Sequence, residues 1–188
     1  MSGAHGVHAD VSNKRVAILI AVIAALLAIA EAGGKSAQTE ALSYNITASN
    51  TWAFFQAKTI RQTTMRTAAE HAAIAPVLGS PAAEIESRSR QIERWRATAQ
   101  RYETEPETGE GRRELMAKAR ELEAKRDKAL AAYHQFEYAA AILQIAIVLA
   151  SAAIITGVGW LVGVAIGASG LGVVFAALGW LAPTLLHL

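Results

Sequence analysis

The 188-residue chain has no cysteine, only four prolines, and few aromatic residues at 6% of the total. Without cysteine it can form neither a disulfide nor a thiolate metal site. No proline falls between Lys35 and Ala75, and no glycine follows Gly34 in that interval, so nothing there ends a helix. The most informative absence is of charge. The 51 residues after Glu137 contain no Asp, Glu, Lys or Arg. A soluble domain has no reason to keep so much chain uncharged, whereas a bilayer does: a charge at its centre costs about 2.5–3.5 kcal/mol on insertion scales. Elsewhere the signs nearly balance, 18 basic against 16 acidic residues, so net charge points to no nucleic-acid partner.

What is present reads as three membrane spans. Residues 16–30 are uninterruptedly apolar, and with Ala32, Gly33 and Gly34 they reach spanning length if Glu31 sits at the interface. About 20 residues at 1.5 Å each are needed. The rival is a secretory signal, with Lys14 and Arg15 as its basic region and Ala28-Ile29-Ala30 as its cleavage site. Helix formers continue after GGKS, which favours a retained anchor. The uncharged tail divides at Thr156-Gly157-Val158-Gly159, a turn signal. The expected spans are therefore 16–34, 138–156 and 160–182, with tails at 1–15 and 183–188. Trp160 and Trp180 lie near the ends of the third span, where aromatic belts form. Lys14 and Arg15 argue for an inside N-terminus, with residues 35–137 on the far side. Lys118, Arg120, Lys125, Arg126 and Lys128 argue the reverse. The first span usually dominates, so the first orientation is expected.

Residues 35–137 predict a helical stalk with breaks near 76–81 and 104–111. Pro76, Gly79 and Pro81 make the first break, where Ser80 is the expected N-cap and Pro81 the first helical position. Ile85, Ile92 and Ala99 recur every seven residues, with Trp95 and Tyr102 three further on, and Arg88 interrupts this seam. The acidic turn TEPETGEG makes the second break. Leu115, Ala119, Leu122, Arg126, Ala129, Tyr133, Phe136 and Ala140 then step by four and three into the second span. The expected fold is an all-α membrane protein: three transmembrane helices, with a long antiparallel, coiled-coil-like stalk between the first and second.

Four blocks, NKRVAILIAVIAALLAIAEAGGKSAQTEAL, WAFFQAKTIRQT, EPETGEG and FEYA followed by LQIAIVLAS, resemble domain-of-unknown-function family 4337 over nearly the whole chain. The resemblance implies a multi-pass protein of the bacterial inner (cytoplasmic) membrane with no assigned activity. It brings no catalytic residues. With an inside N-terminus, the stalk of a Gram-negative protein would be periplasmic.

Each candidate site in the sequence has a plainer reading. Gly33-Gly34-Lys35-Ser36 looks like the end of a phosphate-binding loop. That motif needs a glycine where Ile29 stands, and a strand where the sequence reads as helix. A membrane exit explains it better. His5 and His8 are too few for a metal site, and His71 and His134 read as solvated helix positions. Arg88, Arg90, Arg94, Arg96 and Arg101 are diluted by neighbouring glutamates, and TEPETGEG lacks the residue order of a calcium loop. No catalytic residue, cofactor or metal is expected. Gly159, Gly163 and Gly167 form two overlapping G-x-x-x-G steps, which pack helices within one chain or between chains. Gln144 is the one amide deep in a span and could bond across helices. Trp52, Phe54, Phe55, Ile85, Ile92, Trp95, Leu115, Leu122, Tyr133 and Phe136 are the expected stalk interface.

The function expected from these residues is a non-enzymatic membrane protein that self-associates. It would act as a scaffold or as an accessory subunit of a larger membrane-protein complex, with the lipid bilayer and copies of itself as partners. The alternative is an oligomeric channel or transporter component.

Overall fold

The computed structural model describes residues 4–76 and 78–185. Its elements are four helices: α1 (Ala4–Ile74), α2 (Ala82–Glu103), α3 (Arg112–Thr156) and α4 (Trp160–Leu181). No strand occurs among the described residues. α1, from Asn13 onward, and all of α3 and α4 are long and apolar enough to cross a membrane, as a multi-pass membrane protein requires.

Each break has a local cause. α1 ends one residue short of Ala75-Pro76, because a residue before proline is pushed out of the helical region. Gly79, Gly109 and Gly157 have φ of +80°, +69° and +72°, a left-handed conformation that glycine adopts without strain. Gly157 closes α3 by donating its N–H to the Ala153 carbonyl at 3.0 Å. The start of α2 differs from expectation. Pro81, not Ser80, is the N-cap, with extended backbone and no side-chain cap. Its carbonyl accepts the N–H groups of Glu84 and Ile85, so the first helical turn closes on Pro81 and leaves Ser80 outside. At the other end of the chain, the helix begins at Ala4, so residues 4–15, expected as a tail, continue α1.

The chain divides into two compact units. The first comprises residues Met1–Leu42 and Arg126–Leu188. Its core is a stack of small and branched apolar residues: Ile23, Ala30, Ala139, Leu143 and Ala146 form one cluster, and Val16, Ala150 and Ala165 another. On α1 the buried positions Val16, Ile23, Ala30 and Ala37 recur every seven residues, as a sustained helix-packing seam requires. Alanine and glycine let the helix axes approach. A Cβ on Gly172 would stand 2.8 Å from the Leu143 side chain.

The second unit is Ser43–Lys125. Its interior is also lined by alanine (Ala48, Ala69, Ala99, Ala119), but Thr51, Lys58 and Gln62 are buried with them. The pairs that rise along α1 descend along α3: Trp52 meets Glu123, while Thr59 and Gln62 meet Arg112. The α2 seam is buried only at Ala99; Ile85 is 38% exposed.

Candidate functional site

Two places in the chain bring together side chains that sequence reasoning kept apart, one in each unit.

In the polar unit the place is the acidic turn. Glu103, the last residue of α2, accepts from Gln62 Nε2 at 2.8 Å, Arg112 Nη1 at 2.7 Å and Arg113 Nε at 3.3 Å. Arg112 also donates to Gln62 Oε1 at 2.6 Å and Thr59 Oγ1 at 2.9 Å, with its guanidinium 5.1 Å from the Phe55 ring centre. The Gln62 bond, then the charge of Arg112 and the bonds from Arg113 and Arg112, hold the Glu103 carboxyl below the usual range, although partial burial opposes them. Beside it, Lys58 is only 7% exposed and lies 3.4 Å from Glu110 and 3.7 Å from Glu105. The Phe54 and Tyr102 rings flank the ammonium at 5.2 and 5.4 Å.

The turn itself is tied down. Glu114 accepts from Thr104 Oγ1 at 2.8 Å and from the Glu105 N–H at 3.4 Å. The Thr104 bond is the main reason its carboxyl also sits below the usual range. A Cβ on Gly111 would run into the Glu105 nitrogen, so the tight return into α3 requires glycine there. The acidic turn is thus exposed only in part. Pro106, Glu107 and Thr108 are exposed, but Glu103 and Glu105 are bound to basic side chains and half-buried. These groups satisfy one another, so chemically the cluster is a polar tie between α1, the turn and α3.

The remaining expected stalk residues spread around this cluster. Trp52 donates to Glu123 at 2.9 Å and meets Phe55 edge-on. Leu115 is buried, while Ile92, Trp95 and Leu122 are half-buried. Trp95 lies on a groove of about 760 Å³ with Thr63, Thr67 and His71. The Thr59, Thr63 and Thr64 hydroxyls bond their own helix carbonyls, leaving mainly methyl groups toward that groove. Arg88, read as a seam interruption, donates to the Ala75 and Pro76 carbonyls at 3.2 and 3.4 Å and so caps the end of α1. Arg90 pairs with Glu86, and Arg101 with Glu105.

In the apolar unit the place is the surface of α4. The helix packs through Ala165, Ser169, Gly172 and Gly179, all buried. At 100° per residue, Gly159, Gly163, Gly167 and Gly170 lie on the opposite side of the helix. A Cβ on any of these four would meet nothing within 4 Å. The two glycine sets therefore do different work: one receives side chains of the same chain, and the other is an open, flat strip. Phe136, expected in the stalk seam, is 2% exposed in the apolar unit. Its ring would be 2.7 Å from a Cβ on Gly33 and 3.0 Å from one on Gly179, and it meets Trp180 edge-on at 5.3 Å. Gly33, Gly34, Lys35 and Ser36 are interior to α1, so no phosphate-binding loop forms there. Tyr133 is half-buried and donates to Glu137. Gln144 is exposed and donates to Glu31 at 3.4 Å. The His5 and His8 side chains lie outside the described residues; among those described, no three His, Asp or Glu side chains converge as a metal site.

Among the described residues, four helices, three of them of membrane-crossing length, with an apolar and a polar unit, define the class: an all-α protein with the composition of a multi-pass membrane protein. Within that class, residues 12–182 match the family model described as Domain of unknown function (DUF4337), and the chain belongs to this family. No curated protein and no solved structure matches the chain.

Proposed function

We propose that the protein is a non-enzymatic component of the bacterial inner membrane that self-associates and serves as a scaffold or accessory subunit of a membrane assembly. Residues 16–34, 138–156 and 160–182 are its anchor, and residues 35–137 an antiparallel helical stalk. The observation that carries this reading is the open glycine strip of α4. In a bilayer, helices associate through close packing and interhelical hydrogen bonds rather than by escape from water, and flat glycine surfaces permit that approach. Gly159, Gly163, Gly167 and Gly170 offer such a surface on the side of α4 that the chain's own helices leave free. Burial of Ala30 in the core supports a first span retained as an anchor. The best-built polar cluster supports a structural rather than a chemical role, since Gln62, Glu103 and Arg112 bind one another and Lys58 binds Glu105 and Glu110. Lys14 and Arg15 before the first span favour an inside N-terminus and, in a Gram-negative cell, a periplasmic stalk.

Native mass spectrometry of the complex, extracted gently from its own membrane, tests this reading. Integer multiples of the chain mass support a self-contained scaffold. A fixed ratio to another protein, with two or more copies of the chain, supports the accessory role. A lone monomer overturns the proposal.

A further inference from the structure

The two long helices of the polar unit present opposite surfaces. Eight of the fourteen residues in 112–125, on α3, are charged, whereas none of the fifteen in 43–57, on α1, is. The two stretches run side by side, with Trp52 bound to Glu123. α1 nevertheless exposes large apolar side chains: Ile46, Ile60 and Ile74 are 53%, 68% and 81% exposed. With Ala53 and Thr67, also exposed, they recur every seven residues. This row stands two residues, or about 200°, from the buried row of Ala48, Gln62 and Ala69. α1 thus carries two seams of helix-packing period. On the side of the first, α3 and α2 make the Trp52–Glu123 and Gln62–Ala99 bonds. Between Ile60 and His71, the second forms a wall of the groove beside Trp95.

Period and charge together identify what covers the second seam. A seven-residue repeat stays in line with another helix, whereas water or lipid has no use for it. Because α2 and α3 already pack on the first seam, that helix comes from a second molecule. A foreign helix is selected by opposite charges beside the seam, and residues 43–57 offer none. In a parallel, in-register pair of identical helices, each side chain meets its own copy, so any charge would meet its like and repel. Over 43–57 α1 avoids that penalty, which the charged surface of α3 would incur. A shared bilayer imposes this register: α1 is one unbroken helix from its proposed span to Ile74, so copies in one membrane hold Ile46 at the same height.

We propose that the uncharged face of α1 in the polar unit, centred on Ile46, Ala53 and Ile60, is a parallel, in-register contact with α1 of a second copy of this chain. The inference rests on the reading of the protein as self-associating and anchored by its first span. It adds a contact outside the apolar unit, on a helix other than α4. A chain with association faces on two different helices can build assemblies larger than a dimer.

The test uses the full chain in lipid bilayers and exploits its lack of cysteine. Ile60→Cys, mildly oxidised, is expected to give a disulfide-linked dimer, whereas Arg120→Cys, exposed on α3, gives far less. In fluorescence-transfer titrations, Ala53→Glu and Ala53→Lys should each weaken self-association at least about ten-fold, because like charges then meet across the contact. An equimolar mixture of the two variants should recover it. Ala53 is exposed, so both should keep the helical content of the parent, checked by circular dichroism. If each variant weakens association and the mixture does not recover it, the contact is not parallel and in register, and the inference fails. Cross-linking of Ile60→Cys only to a different protein, in native membranes, overturns it as well. If the parent associates, both charge variants associate equally well and Ile60→Cys does not cross-link, this inference fails while the glycine-strip reading stands. If the parent is monomeric at every lipid dilution, both fail.

Discussion

The two units of this chain are held together by opposite chemistries. In the apolar unit, buried positions are mostly Ala, Gly, Val, Ile and Leu with one Phe, and Gln135 and Ser169 are the buried polar residues among them. Specificity comes from shape, with Phe136 seated on Gly33 and Gly179, and Leu143 on Gly172. In the polar unit, alanine keeps the helices close, but register is set by ions: Lys58 against Glu105 and Glu110, and Arg112 against Glu103. On the proposed membrane placement, the difference is what their solvents allow. Hydrocarbon gives helices no hydrophobic reason to associate, so fit and backbone approach must supply the contact. Water does supply that reason, but a seam of alanines alone is permissive about sliding. A half-buried ion network is satisfied in few arrangements.

Five substitutions and one titration sharpen that contrast. The largest effect is expected from Phe136→Ala, which empties the site between Gly33 and Gly179. Loss of a buried phenylalanine costs about 3–5 kcal/mol, read as reduced unfolding stability in detergent. A matched pair on α4 comes next. Gly172→Leu must displace Leu143 and should cost about 1–3 kcal/mol, the range for overpacked cores. Gly163→Leu, with nothing within 4 Å, should leave folding unchanged and lower only assembly size. Equal destabilisation by both would contradict the assignment of the two α4 faces.

In the polar unit, Lys58→Ala should cost about 1–3 kcal/mol. That is less than a fully buried ion pair, because its carboxylate partners reach water. Lys58→Met, which keeps the aliphatic stem against Phe54 and Tyr102, should recover part of that loss. The smallest effect is the titration. Glu103 and Glu114 have lowered pKa values, so the folded chain binds their protons less readily than the unfolded chain. Their contribution is complete above the ordinary glutamate range, about pH 4.3, and is lost as pH falls through the lower folded values. Hydrogen exchange across that window should rise in residues 43–125 and stay flat in the apolar core around Ile23 and Leu143. A uniform rise would mean that the two units do not differ in this way.

Much of the fold was legible because its signals are local. Pro76, Gly79, Pro81, Gly109 and Gly157 mark helix ends by backbone geometry alone, and the uncharged run after Glu137 marks two helices of membrane-crossing length. The contacts were less legible because they depend on residues far apart in the chain. Phe136 fits the heptad of α3, but nothing local says that its holes are Gly33 and Gly179. Lys58 and Gln62 are polar residues on a long helix, with no neighbour in sequence that marks them as buried. A signal was present: the seven-residue spacing of Val16, Ile23, Ala30 and Ala37 returns at Ala41 and Ala48, and again at Gln62 and Ala69, which turns Gln62 inward. The two glycine sets of α4 are alike in sequence. Only the placement of Leu143 and Phe136 shows which set is occupied.

The most direct test of the central claim, that the free glycine strip of α4 joins copies of this chain, is subunit counting by single-molecule photobleaching in native lipid nanodiscs. The parent protein should show two or more bleaching steps per particle, shifted toward one by Gly163→Leu without loss of helical content. A single step for the parent, or an unchanged step distribution for Gly163→Leu, would contradict it.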